Sequence, residues 1–467
     1  MNKPERTFRP DRHPADSYED ILDRDLVPAP DFLRQRGLPE IGTEPVAASR
    51  YFDPAFFEKE RAYLWPRVWQ MAGRDEEIPQ IGDYFIYENV GKSFIVVRTG
   101  PDEFKAFYNA CLHRGRKLVT LNGCKSEFRC PYHGIAWKSD GTFKDNPIGW
   151  DFPQWEGENI DLPQAKVDRW GGFIFINMDH GAPPLSQIMG PLIDDFVGYD
   201  YASRYKAVHV AKKVRCNWKA TAEAFMESHH SLTTHPQILP GIGDCNSQYD
   251  ILNDYVSRQF SASAVQSPLL EGHLSEQDIV SYMLGQGFTR SSLTGGDAGG
   301  LPDGVSARAF VAARAREAAL LNSGNDLSAV SDAEMIDSLL YNVFPHMSFW
   351  AGFSSNLTYR WRPNGLDPDS AIMDVIILRP APKNAPRPKP VPVHELGLDD
   401  PWSDAPELGD QLVTIFAQDM GNLPYVQEGL RASGNGLVHF GRYSETRIRH
   451  HHQMINRYIA QGEAGIK

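Results

Sequence analysis

Between Trp69 and about Met178, apolar and polar positions alternate in short runs broken by turn residues. The stretch GDYFIYENVGKSFIVVRTGPDEFKAFYNA, residues 82–110, reads as three strands with turns around residues 88–91 and 100–103. Further strands are predicted within 128–137 and 172–177, which suggests a small antiparallel sandwich or barrel. After the Gly-Ala-Pro-Pro stretch 181–184 the period changes. Strands are predicted at 205–215, 346–353, 357–362 and 371–379, and helices at 275–284, 307–321, 331–340, 407–432 and 444–460. Asp53 and Pro54 suit the cap and first turn of a helix to about Leu64. The stretch 217–235, NWKATAEAFMESHHSLTTH, is predicted to be helical, with Glu227 one turn before His230 on the same face.

These patterns divide the chain into four regions. Residues 1–50 show no period and are expected to form an extended arm on the surface or on a partner subunit. Residues 51–68 form a helix that docks on the larger, C-terminal domain; 69–180 form a small β domain, and 181–467 the larger domain itself. Within the last, 236–340 reads as an elaboration over a site, a lid in outline, with a mobile glycine-rich loop at 288–306. The proline-rich stretch 379–392 is a stiff connector.

The 467 residues are 41% hydrophobic and 23% charged, as in an ordinary globular protein. A net charge of −13 disfavours nucleic acid and anionic membrane surfaces as partners. No apolar run is long enough to span a bilayer, and the first twenty residues hold no leader-like apolar core. Five cysteines form no disulfide framework, so a reducing, cytoplasmic setting is expected, with any paired cysteines serving metals.

Two clusters carry chemistry. Cys111 and His113, then Cys130 and His133, place a thiolate and an imidazole on each of two tight loops. Such a set suits tetrahedral zinc, or a [2Fe–2S] cluster with two Cys on one iron and two His on the other. Gly115 and Gly134 let both loops fold back with backbone N–H groups near the sulfides, and the β host is no zinc finger, so the cluster is the favoured reading. Downstream, His230 and His235 with a carboxylate from elsewhere would make the facial triad of non-haem Fe(II).

With CLH (111–113), CPYHG (130–134), NWK (217–219), Glu227, His230 and His235 in this order, the chain resembles the large α subunit of Rieske non-haem iron oxygenases, the aromatic-ring-hydroxylating dioxygenase superfamily. The resemblance implies an α+β fold: a small all-β Rieske domain, and a catalytic domain whose central antiparallel sheet is flanked by helices. It implies a Rieske cluster on Cys111, His113, Cys130 and His133, and a mononuclear Fe(II) on His230, His235 and Asp419, with Glu428 the runner-up to Asp419. By the same resemblance Glu227 bridges a neighbour's His133 to His230, although many relatives carry Asp there. His229 stands where many have Tyr, and Ala224 where Asn is common. O2 is the co-substrate. No G-x-G-x-x-G motif follows a strand, so NAD(P)H serves only through a ferredoxin or flavin reductase. A homotrimer is implied, with or without a small β subunit.

Apolar residues around the expected site favour hydroxylation, in particular dihydroxylation, of an apolar aromatic or polycyclic substrate. The alternatives are a monooxygenase or demethylase acting on a steroid-like or amine substrate, and a non-catalytic Rieske electron carrier. The triple histidine 450–452 is read as a partly exposed helix face, Glu223 as a surface acid or a group near the iron, and Cys216 and Cys245 as small buried side chains.

Overall fold

The computed structural model describes residues 12–37, 39, 41–285, 300–353, 357–382 and 386–465. Two large sheets organise it. The first has seven antiparallel strands, in the order Gln70–Arg74, Phe173–Asn177, Gln164–Trp170, Phe104–Tyr108, Lys92–Arg98, Asp83–Asn89 and Gly123–Cys124. The expected three-strand run at 82–110 is present, and its first hairpin turns at Val90 and Gly91, with φ of 42° and 78°. Two consecutive positive φ values match the right-handed twist of the paired strands. A separate three-stranded sheet, Glu127–Arg129, Ala136–Lys138 and Phe143–Asp145, carries one of the Cys–His loops.

The second sheet has eight strands, from Gln248–Ile251 through Val256–Ser261, Ser338–Val343, Met347–Trp350, Leu357–Asn364, Asp367–Arg379 and Tyr205–Val214 to His394–Leu396. All its pairings are antiparallel except the last, which is parallel. The stretch 236–340 is thus more than an elaboration, because it supplies two complete strands and the start of a third. The helix expected over 331–340 stops at Ile336: Ser331 caps it as anticipated, but the chain then pairs with Val256–Ser261. The glycine-rich loop expected at 288–306 lies largely outside the described residues.

Over its described residues the N-terminal arm packs into its own chain instead of forming an extended surface strap. Its helices Tyr18–Leu22 and Asp31–Arg34 bury Tyr18, Ile21, Leu22 and Leu33 in the main core of the same chain. Each such apolar side chain contributes about 1.5–3 kcal/mol. Asp25 pairs with Arg308, which also meets Asp337, and the Tyr18 hydroxyl donates to Asp337 at 2.9 Å. Among the described residues, no helix is long and apolar enough to cross a membrane.

Candidate metal centres

The two Cys–His loops are built alike. In the first, Cys111 N donates to Arg116 O and Gly115 N to Cys111 O; in the second, Cys130 N donates to Ile135 O and Gly134 N to Cys130 O. Gly115 and Gly134 sit at φ of 73° and 80°, a region that penalises any side chain. Cys111 and Cys130 are buried, and the His113 and His133 rings lie 4.7 Å apart. Burial pushes the Cys111 thiol up, while the backbone N–H groups of His113 and Arg114 oppose that by facing its sulfur. His113 Nδ1 is buried with no hydrogen-bond partner. Two buried thiols, two converging imidazoles and an orphaned ring nitrogen fit a four-donor metal group.

The second centre is assembled from distant segments. The NWK motif anchors its first element. Asn217 caps the Trp218–Glu223 helix by accepting from Lys219 N, Trp218 enters the core, and Lys219 Nζ meets Glu60 Oε1 at 2.7 Å, both fully buried. Breaking such a pair costs about 3–5 kcal/mol. The helix ends at Glu223, so Glu227 and His230 lie on an irregular strap, not on the continuous helix expected. Ser228 pins that strap by hydrogen bonds to Asp244 O, Ser247 and Tyr249.

Asp419 arrives on the helix Asp410–Ala432, whose buried face runs through Phe416, Asp419, Leu423 and Gln427. One ligand atom each from His230, His235 and Asp419 falls within 4.8 Å of the others. His235 Nε2 is 2.9 Å and His230 Nε2 is 3.7 Å from Asp419 Oδ1. The opposite ring nitrogens are held: His235 Nδ1 meets Gln418 Oε1 at 2.8 Å, and His230 Nδ1 makes a very short contact with Glu227. Both imidazoles are therefore aimed with Nε2 inward, the arrangement that prepares a neutral histidine for a metal. Glu428, the runner-up, is not in this group. Gln418 was missed, because a glutamine on a helix carries no signal without its spatial partner.

Glu227 also holds His229. Its Oε2 lies 2.8 Å from His229 Nδ1 and accepts from His230 N. Burial pushes its carboxyl up, but hydrogen bonds from His229 and His230 outweigh that and bring it down to about 2. On the helix that carries Asp419, Phe416 packs on Phe225 and Trp402, and Phe225 packs on Tyr359 and Trp361 in the core. A cavity of about 1210 Å³ lies elsewhere, between the two large sheets, and none of the metal-site side chains lines it.

Residues 197–461 match the family model of the ring hydroxylating alpha subunit catalytic domain, and residues 68–156 match the Rieske [2Fe-2S] domain. The chain belongs to the ring hydroxylating alpha subunits. The family's two metal groups, a Rieske [2Fe–2S] cluster and a mononuclear iron, fit the two donor sets. Choline monooxygenase of Beta vulgaris is 28% identical over 38% of this chain and 42% of its own. The biphenyl 2,3-dioxygenase alpha subunit of Rhodococcus jostii is 32% identical over 42% of this chain and 44% of its own. The chain spans about half the length of the curated relatives it matches. A quaternary ammonium Rieske monooxygenase solved with L-carnitine superposes with a TM-score of 0.60 over 91% of this chain and 99% of that one, at 17% identity.

Proposed function

We propose that the chain is a terminal oxygenase component, with a Rieske domain over 69–180 and a mononuclear-iron domain over 181–467. Cys111, His113, Cys130 and His133 hold the cluster. His230, His235 and Asp419 hold the iron. The observation that carries this reading is the convergence of those last three donors, with Glu227 and Gln418 fixing the imidazoles. With its metals bound, the protein would supply reductive activation of O2, using electrons delivered by a separate ferredoxin or flavin reductase.

The chain's own groups set the conditions. Asp419 is buried with its Oδ1 facing both imidazole Nε2 atoms, where a cation would be held by all three groups. Glu227 stays ionised and holds one imidazole through each carboxylate oxygen. In a trimer it would exchange His229 for a neighbour's His133, so that an electron could pass between chains.

For the substrate, the reading favoured is an amine, above all a quaternary ammonium compound, oxidised by monooxygenation. Relatives named for choline and carnitine support it. With a biphenyl dioxygenase relative at 32% identity, hydroxylation of an apolar aromatic is the second reading. A non-catalytic carrier fits poorly, since residues 197–461 match a catalytic domain.

The test is O2 uptake with a reductase across choline, carnitine, glycine betaine, biphenyl and naphthalene, followed by product identification. Formation of an aldehyde or a dealkylated amine supports the first reading, and a cis-diol the second. Uptake without a product from any of them would leave both substrate readings overturned.

A further inference from the structure

Three segments far apart in sequence meet beside the strap that leads to the mononuclear centre. Tyr51, from the turn Ala48–Tyr51, places its hydroxyl 3.0 Å from both carboxylate oxygens of Glu223. His452, on the helix Thr446–Glu463, places Nε2 2.8 Å from the Tyr51 hydroxyl and 2.9 Å from Glu223 Oε1. All three are buried. The triple histidine is therefore not a partly exposed face: His451 and His452 lie inside, and Glu223 is no surface acid.

Glu223 is the last residue of its helix, and its carbonyl accepts from Met226 N. It thus fixes the near end of the strap, as Ser228 fixes the far end. We infer that Glu223, Tyr51 and His452 form a titratable latch that positions the strap bearing Glu227 and His230, so that the hold on the mononuclear metal depends on the protonation of Glu223.

The proton count explains why. With Glu223 ionised, the Tyr51 O–H and a His452 Nε2–H both donate to it. Adding a proton makes Glu223 a donor as well. His452 Nε2 cannot accept that proton while carrying its own, and moving the hydrogen to Nδ1 leaves it on a buried atom that has no partner. The added proton then points at the Tyr51 oxygen, while the Tyr51 O–H and His452 Nε2–H still donate to Glu223, so the same contacts lose their charge assistance and weaken.

Other groups face the latch. Arg50 flanks Tyr51, and Lys219 lies on the same helix as Glu223 but is held by Glu60. Cys216, His451 and Glu445 complete the surroundings. Burial holds His452 and His451 neutral, and burial first, with Glu223 beside it, raises Tyr51. Burial raises Glu223 to about 7, against the Tyr51 hydrogen bond and the charges of Lys219 and Arg50. Glu445 is raised as well, by burial, so it serves as the control.

The inference rests on the mononuclear-iron reading for one of its two tests only. In metal-free protein, difference infrared spectra between about pH 5.5 and about pH 8.5 should show, above the titration of the Asp25 carboxyl that burial raises to about 6, a second band from a buried carboxyl losing its proton at about 7. Glu223→Gln should abolish that band and Glu445→Gln should leave it. Tyr51→Phe, which removes a donor to the ionised form, should move the midpoint upward and serves if Glu223→Gln does not fold. In iron-loaded protein, the rate of iron loss to a ferrous chelator should change several-fold across the same midpoint, and this step should be absent from Glu223→Gln. If the band at about 7 survives Glu223→Gln, or its midpoint is unmoved by Tyr51→Phe, the latch is overturned. If the band behaves as expected but iron loss shows no such step, the titration stands and the positioning role is lost. If no mononuclear iron binds at all, the functional reading fails while the infrared result still decides the titration.

Discussion

Carboxylates at the catalytic centre differ in fate because their neighbours differ. Glu227 accepts from two imidazoles and one backbone N–H, so it remains charged. Glu227→Gln is expected to keep both metals and lose coupled turnover; full coupled turnover in the variant would remove its bridging role. Asp419 faces both Nε2 atoms, so Asp419→Ala should lower iron from about three to about two per chain while the Rieske absorption stays intact. Unchanged iron content would refute the ligand assignment. Glu223 behaves oppositely to Glu227. Its carboxyl is raised to about 7 from an ordinary 4.5, so its favourable contribution is complete below the unfolded value and is lost as pH rises through the folded one. Relative to Glu223→Gln, the native chain should therefore lose on the order of 3 kcal/mol of stability between about pH 4.5 and about pH 8. Thermal unfolding across that window measures it, and a pH-independent difference would contradict the shift. Single residues were legible where chemistry is local in the chain, as in CLH, CPYHG and the pair His230 and His235. Gln418 and the latch were not, because each depends on a partner at least 170 residues away.

Elements show the same division. The cluster loops could be read in advance because each needs its glycine at a fixed offset from its cysteine. Gly115 has open space around a would-be Cβ, so Gly115→Ala meets only the backbone penalty, about 1–2 kcal/mol. At Gly134 a Cβ would also come within 3.1 Å of Pro147 Cγ. Gly134→Ala should thus cost more than Gly115→Ala, read as the temperature at which the Rieske absorption is lost; the reverse order would show that Pro147 gives way freely. The cap at Ser331 was legible and real, since its hydroxyl accepts from Glu334 N. The strand after it was not, because Ser338–Val343 is an apolar run whose partner, Val256–Ser261, lies some eighty residues earlier. Periodicity alone does not separate a buried strand from a continuing helix in so short a run. The interruption of the 217–235 stretch at Glu223 was hidden for a related reason: hydrogen bonds from Ser228 to Asp244, Ser247 and Tyr249 replace helical ones, and none is visible in the local pattern.

For the molecule as a whole, the direction in which each centre faces decides how the two could cooperate. The cluster loops lie at an edge. His113 and His133 are only partly covered, and Leu112, Tyr132 and Trp150 near them are 38%, 55% and 83% exposed. The iron-site residues have a partly open side of their own, with His229 exposed beside Glu227, and with Leu232 and Tyr425 at 42% and 72%. Two apolar, incompletely covered surfaces of this kind suit burial against each other in adjoining chains. Electron transfer between subunits makes a prediction that transfer within one chain does not. A Cys130→Ser chain should lack its cluster and keep its iron site; an Asp419→Ala chain should do the reverse. Neither should turn over alone. In mixed oligomers purified by two different tags, the cluster of the second chain faces the intact iron site of the first, so activity should return to a fraction set by the number of such junctions. Verified mixed oligomers with both metals bound and no recovered activity would mean that the productive pair lies within one chain, and that the exposed surface around Trp150 serves another contact.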